Sequence, residues 1–183
     1  NQQTVQMADL SGDGEVEYIV FARDPVNKAL RILIFHRQMD QFRLLSVIES
    51  HGSAFEQVEY VNVDDQPGLE MVVGRQVSDQ LRRSLSVYTF SEGTPMQLLT
   101  ANYLKFLTCD LDSDALMELV ILRPDTSGLD AGIAELYGME NGTMERSNEV
   151  KMSGPTERLK RVITGQLHGG VPAVFAASAV DES

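Results

Sequence analysis

One motif recurs four times along the chain, and its spacing constrains the fold more than any other feature. The copies align without gaps: Asp9-Leu10-Ser11-Gly12-Asp13-Gly14-Glu15-Val16-Glu17-Tyr18-Ile19-Val20, then Asn62 to Val73, Asp110 to Ile121, and Gly165 to Ala176. Their first residues, 9, 62, 110 and 165, lie 53, 48 and 55 residues apart. A period of about fifty residues is the signature of blades, solenoid turns or arrays, in which one supersecondary unit is stacked repeatedly.

Each period is filled with extended segments. Apolar runs precede the motif, as in Val58-Glu59-Tyr60-Val61 and Leu104 to Thr108, and β-branched runs follow it, as in Met71-Val72-Val73. A third segment comes next, Leu30 to Phe35 in the first unit and Ser84 to Phe90 in the second. A fourth covers Phe42 to Ile48, Met96 to Thr100 and Met144 to Met152. Turn residues separate the third and fourth segments: Met39-Asp40-Gln41, Ser91-Glu92-Gly93-Thr94 and Asn141-Gly142, the last being a strong hairpin signal. Helical periodicity is absent apart from Gly52 to Gln57 and Asp79 to Arg83, both short enough to be loops. Four strands per period predict an all-β, β-propeller-type repeat of four-stranded antiparallel blades, with about three and a half blades here. The expected units are 1–53, 54–101, 102–156 and a partial 157–183 within a single repeat domain. An open run of blades would expose apolar sheet faces, so the sequence predicts either a homo-oligomer or a fragment of a longer propeller.

Charge narrows the partners. The net charge of −12 repels a phosphate backbone, and Arg158-Leu159-Lys160-Arg161 alternates like one face of a strand, so nucleic acid is not expected. An acidic surface suits divalent cations instead. With 43% hydrophobic and 23% charged residues the chain reads as globular, and it has no apolar run long enough for a transmembrane segment. The single cysteine, Cys109, excludes an intramolecular disulfide and a cysteine-rich zinc site, and its apolar flank predicts a buried thiol. The opening Asn1-Gln2-Gln3 implies a processed or trimmed product, which fits export and a lipid anchor ahead of it.

The motif carries the chemistry. Asp110, Asp112, Asp114 and Glu118 occupy positions 1, 3, 5 and 9 of the third loop, with the Leu116 carbonyl at position 7. The first loop offers Asp9, Ser11, Asp13 and Glu17, with the carbonyl of Glu15. Calcium needs six to eight oxygen ligands, and alternate residues of a tight loop converge on one point. An EF-hand fails, because position 12 is Val20 or Ile121 rather than Glu and the flanks are strands. The competing reading is plain turn chemistry, in which Asp, Asn, Ser and Gly bond to local amides without metal. Asn62, Asp64, Gln66 and Glu70 form a weaker set, and the fourth loop has no carboxylate.

The Asp-Leu-Ser-Gly-Asp-Gly-x-x-Glu-x-Ile-Val run resembles the FG-GAP or VCBS-type repeat of integrin α-chain propellers and many exported bacterial proteins. The resemblance covers three full periods and part of a fourth, and it implies that the loop joins the first two strands of a blade and holds calcium. Carried over by position, Asp9, Ser11, Asp13, Glu17, Asp110, Asp112, Asp114 and Glu118 fall on ligand positions. The chain departs from the family in having Glu, not Asp, at 17, 70 and 118.

Catalytic signals are weak. His36, His51 and His168 fall at unrelated places in the repeat, and no nucleophile arrangement, zinc pair or phosphate loop is visible. His36 and His51 read as solvated edge or turn residues. Trp is absent, and Asn141-Gly142-Thr143 fits a glycosylation acceptor but is explained by its hairpin. The resemblance therefore implies a non-catalytic, exported binding or scaffold module whose partner is a protein or a glycan. The alternative is a propeller-scaffold hydrolase or lyase acting on a glycan, with its residues drawn from several blades.

Overall fold

The computed structural model describes residues 4–77, 82–125, 132–152 and 159–178. Every regular element among them is a strand: β1 (Val5–Ala8), β2 (Glu17–Arg23), β3 (Leu30–Gln38), β4 (Gln41–Ser50), β5 (Ala54–Val61), β6 (Glu70–Gln76) and β7 (Arg83–Ser91), followed by β8 (Thr94–Tyr103), β9 (Lys105–Cys109), β10 (Glu118–Pro124), β11 (Gly132–Glu140), β12 (Thr143–Met152), β13 (Leu159–Gln166) and β14 (Pro172–Ser178). They form three four-stranded sheets in sequential order, β1 to β4, β5 to β8 and β9 to β12, and a two-stranded sheet of β13 and β14. The recorded pairings are all antiparallel. The chain divides into two compact units, Asn1–Asn102 and Tyr103–Ser183.

The predicted hairpins form, and two of them share one backbone conformation. Asn141 and Gly142 have φ of 52° and 80°, and Glu92 and Gly93 have 50° and 77°. Positive φ at both central residues matches the twist of the flanking strands, which explains the Asn-Gly and Glu-Gly pairs. The Gly52 to Gln57 stretch, open at the sequence level, is a turn that enters β5. Residues 79–81 of the other stretch lie outside the described residues, and Arg83 opens β7.

Alternation along the strands gives each sheet two faces. Counting from the first residue of each motif, Ile19 and Phe21 occupy positions 11 and 13. With Ile32, Ile34 and Ile48 they form one face of the first sheet. That face packs on the face of the second sheet that carries positions 10 and 12, Met71 and Val73, with Tyr88 and Phe90. Phe21 and Phe55 meet edge to face across this layer, their centroids 5.1 Å apart. The second unit repeats the rule: Val120 and Leu122, positions 11 and 13, pack with Ala134 and Leu136 against Val162 and Val174, the latter at position 10. Burying each such aliphatic side chain contributes about 1.5–3 kcal/mol.

The two middle strands of each four-stranded sheet carry most of the buried hydrophobic side chains among the described residues. Met71, Val72 and Val73 on β6, and Leu119, Val120, Ile121 and Leu122 on β10, are all buried, so these strands are covered on both faces. The outermost strand β12 is mostly exposed and carries Glu145, Arg146, Glu149 and Lys151. Charges on a sheet edge discourage further strand pairing. Cys109 ends β9 and is buried, as its apolar flank predicted.

Candidate metal centre

The three acidic loops link equivalent strands: Asp9 to Glu17 joins β1 to β2, Asn62 to Glu70 joins β5 to β6, and Asp110 to Glu118 joins β9 to β10. Position 1 shapes the loop. Asp9 Oδ1 accepts the Gly12 N–H at 2.7 Å and Oδ2 accepts the Gly14 N–H at 2.9 Å. Asp110 does the same for Ser113 and Ala115, at 2.6 and 3.1 Å. Those amides belong to residues with positive φ: Gly12 at 73° and Gly14 at 85°, Ser113 at 68° and Ala115 at 73°. The aspartate takes the place of water at the amides of a left-handed backbone and so fixes the turn.

Position 5 repeats the pattern on a smaller scale. Asp13 accepts the Glu15 N–H and Asp114 accepts the Leu116 N–H, each at 2.8 Å. Position 3 does so in two loops, where Asp64 accepts from Gln66 and Asp112 from Asp114, at 2.8 and 3.2 Å.

Position 9 plays a role that the ligand reading of the sequence missed. Glu17, Glu70 and Glu118 each turn one carboxylate oxygen back to the amide at position 2: Leu10 at 2.8 Å, Val63 at 2.9 Å and Leu111 at 2.6 Å. Glu17 and Glu70 are almost fully buried. The signal was present in the second loop, which keeps Glu70 although its other ligand positions are poor. A glutamate retained without ligands around it points to the backbone. Burial, reinforced by Asp64, pushes the Glu70 carboxyl above its ordinary range, and the Val63 amide offsets part of that.

The first loop directs its predicted ligands toward one another. Ser11 donates its hydroxyl to Glu17 Oε1 at 3.3 Å, and its N–H reaches Glu17 Oε2 at 3.3 Å. His36, expected to be a solvated strand-end residue, instead lies on β3 with its ring nitrogens 3.7 Å from the carboxylates of Glu15 and Glu17.

The third loop differs. Asp110, Asp112 and Glu118 each offer an oxygen, and all three atoms lie within 4.8 Å of one another. Two oxygens sharing an ion at about 2.4 Å are separated by at most about 4.8 Å, so this group meets the geometric condition for a common cation. It is the one such cluster among the described residues. Burial raises the Glu118 carboxyl, and the charges of Asp112, Asp114 and Asp110 raise it further. A set made only of carboxylate oxygens fits a hard divalent cation, which would neutralise that repulsion. A cleft of about 470 Å³ beside the loop is lined by Asp110, Ser113, Met117, Thr164 and Gln166, among others.

A second polar cluster carried no sequence signal. Glu135 on β11 is buried, and its carboxylate accepts from Arg123 and Arg146, both at 2.8 Å. Glu149 lies 2.7 Å from Arg146, and the Tyr137 hydroxyl is 3.3 Å from Glu135. The Arg123 guanidinium, with Arg146, holds the Glu135 carboxyl below its ordinary range.

No family model matches the chain, and no curated protein matches it. Its fold is shared with solved rhamnogalacturonan lyases. The exotype rhamnogalacturonan lyase YesX is 16% identical with a TM-score of 0.58, over 95% of this chain and 38% of that one. Rhamnogalacturonan lyase YesW is 14% identical with a TM-score of 0.59, over 95% and 39%. The Bacillus licheniformis rhamnogalacturonan lyase PL11 is 13% identical with a TM-score of 0.57, over 94% and 39%. The likeness is one of fold, and the chain spans about two-fifths of the length of these neighbours. Among the described residues no helix is long and apolar enough to cross a membrane.

Proposed function

We propose that the sheets are propeller-type blades of the FG-GAP or VCBS kind and that the chain serves as an exported binding or scaffold module, its third loop held by calcium. The convergence of Asp110, Asp112 and Glu118 carries this reading. The sequential four-stranded sheets and the recurrence of the loop at one place in each support it. Asp114 and the Leu116 carbonyl complete the proposed ligand set. Asp9, Ser11, Asp13, Glu15 and Glu17 form a second, weaker candidate, because Ser11 and Glu17 already bond to each other. The partner is a protein or a glycan.

Thermal unfolding in EDTA and in millimolar calcium, with Asp112→Ala alongside, tests the site. A ligand of the native state raises stability by about 2.7 kcal/mol when present at a hundred times its Kd. A calcium-dependent rise in Tm that the variant loses is expected. An unchanged Tm reduces the loop to turn chemistry.

A second reading is favoured by the comparisons: the chain is part of a glycan-acting lyase, since three structural neighbours are rhamnogalacturonan lyases. Titrating rhamnogalacturonan while following unsaturated uronate by ultraviolet absorbance separates the two. Binding without product supports the module, and product supports the lyase.

A further inference from the structure

Among the described residues, Arg75 is the one half-buried arginine that meets no carboxylate. Arg31, Arg83 and Arg123 are half-buried too, and each lies within 2.8 Å of an acid: Arg31 of Asp24 and Glu49, Arg83 of Glu56, Arg123 of Glu135. The chain holds 27 acidic residues against 15 basic ones, so a guanidinium kept clear of them all departs from its own pattern. Such a charge is unfavourable when partly withdrawn from water without a counter-charge.

Register accounts for the setting. Arg75 lies near the end of β6, opposite Phe55 of β5 and Ser84 of β7. It shares a face with Met71 and Val73, which pack on the first sheet, and Phe55 bounds that apolar layer by its contact with Phe21. Ser84 and Ser86 are buried on β7. Arg75 Nη1 donates to Ser86 Oγ at 3.0 Å, while Nε is shut off from solvent and has no partner. The guanidinium therefore stands at the margin of an apolar layer among hydroxyl groups, where a charge acts more strongly than in water.

The hydroxyls carry a direction. Ser86 Oγ also lies 3.0 Å from Thr100 Oγ1 on β8. Arginine only donates, so Ser86 accepts from it, and the buried serine proton finds its acceptor in Thr100. The opposite choice would bury that proton unbonded. Thr100 is exposed, and its own proton then donates outward. The two bonds keep Thr100 Oγ1 within about 6 Å of Arg75 Nη1, so one anion bonding each at about 2.8 Å can reach both.

We propose that Arg75 and Thr100, fixed by the buried Ser86 hydroxyl, bind an oxyanion, a carboxylate or sulfate group brought by a ligand. Such a group offers the several acceptor oxygens that a guanidinium fork matches, and it supplies the counter-charge that the fold withholds. The site lies at the opposite end of β6 from Glu70 and its loop, and it needs no cation.

The test is nuclear magnetic resonance of the nitrogen-labelled chain in EDTA, titrated with sodium acetate or sodium sulfate against sodium chloride at constant ionic strength. The Arg75, Ser86 and Thr100 amide signals are expected to shift saturably in tens of millimolar oxyanion and not in chloride. Saturation by acetate alone assigns a carboxylate, by sulfate alone a sulfate, and by both the chemistry they share. Thr100→Val is expected to weaken binding about tenfold, the loss of one hydrogen bond to a charged group. Arg75→Met is expected to abolish it. Arg75→Lys stands in if that variant fails to fold, since it keeps the charge, loses the fork and is expected to bind more weakly than the parent. No saturable shift from either oxyanion, or an equal one from chloride, overturns the proposal. Undiminished affinity in the Arg75 variant places the anion elsewhere, and in Thr100→Val it removes the second donor; either result overturns the site.

Discussion

Glu70 Oε2 accepts the Val63 N–H at 2.9 Å, and the other oxygen of the same buried carboxylate accepts the Thr89 hydroxyl at 3.1 Å. Removing the side chain leaves a buried amide without an acceptor, which costs about 1–3 kcal/mol. Glu70→Ala is therefore expected to lose about that much in urea unfolding. Glu70→Gln keeps a carbonyl for the Val63 amide and sheds a charge that burial disfavours. It is expected to stay within about 1 kcal/mol of the parent.

Gly12 and Gly14 share a loop but face different surroundings. A Cβ on Gly12 would stand 2.4 Å from the Pro67 carbonyl carbon and 2.5 Å from Gly68 N, because the first loop runs against the second. The Leu69 N–H to Asp9 carbonyl bond, 2.9 Å, fixes that approach. Gly14 has φ of 85° with nothing near its missing Cβ. Gly14→Ala is expected to cost about 1–2 kcal/mol from left-handed backbone alone. Gly12→Ala adds an overpacking penalty of about 1–3 kcal/mol. Equal losses for the two in parallel denaturant titrations would refute the loop contact.

Glu135 sets an acid-sensitive limb. Its carboxyl is held low by Arg123 and Arg146, so in the carboxylate range the unfolded chain binds this proton more readily than the folded one. Its contribution is present above the ordinary carboxylate pKa and fades as pH falls through the lowered value. Glu135→Gln is expected to flatten the decline in urea midpoint on acidification, relative to the parent.

Asp112 separates turn chemistry from cation binding. Asp112→Asn keeps an oxygen for the Asp114 amide but removes one of the charges that push Glu118 upward. In EDTA the variant is expected to melt at or above the parent temperature, and in calcium below it. A variant that melts lower in both media would show that the charge serves the turn itself.

Strand order and hairpins were legible because they rest on local rules: alternation, Asn-Gly, and an acidic loop at a fixed offset. Local acceptor roles were legible as a competing reading, and Asp9 and Asp110 show why, since both oxygens of each are engaged by amides within five residues. Roles that cross strands were not legible. His36 meets Glu15 and Glu17 only because β3 lies beside β2, and Glu135 is buried with Arg123 only through the β10–β11 register. Position 9 misled for a different reason. Glutamate is a good oxygen ligand, so the commitment of one of its oxygens to the start of its own loop was masked in the first and third loops and hinted at only by Glu70 in the ligand-poor second loop.

The fourth loop closes without any acid. Leu167 N–H bonds to the Val171 carbonyl at 2.8 Å and Gly170 N–H to the Leu167 carbonyl at 3.0 Å, with Gly169 and Gly170 in the left-handed region. Two glycines and two backbone bonds do here what carboxylates do elsewhere. The repeat thus has two solutions to one corner, and the fourth copy holds its shape without the charges that the other three carry. A corner closed by backbone alone needs neither a carboxylate nor a cation to keep its course.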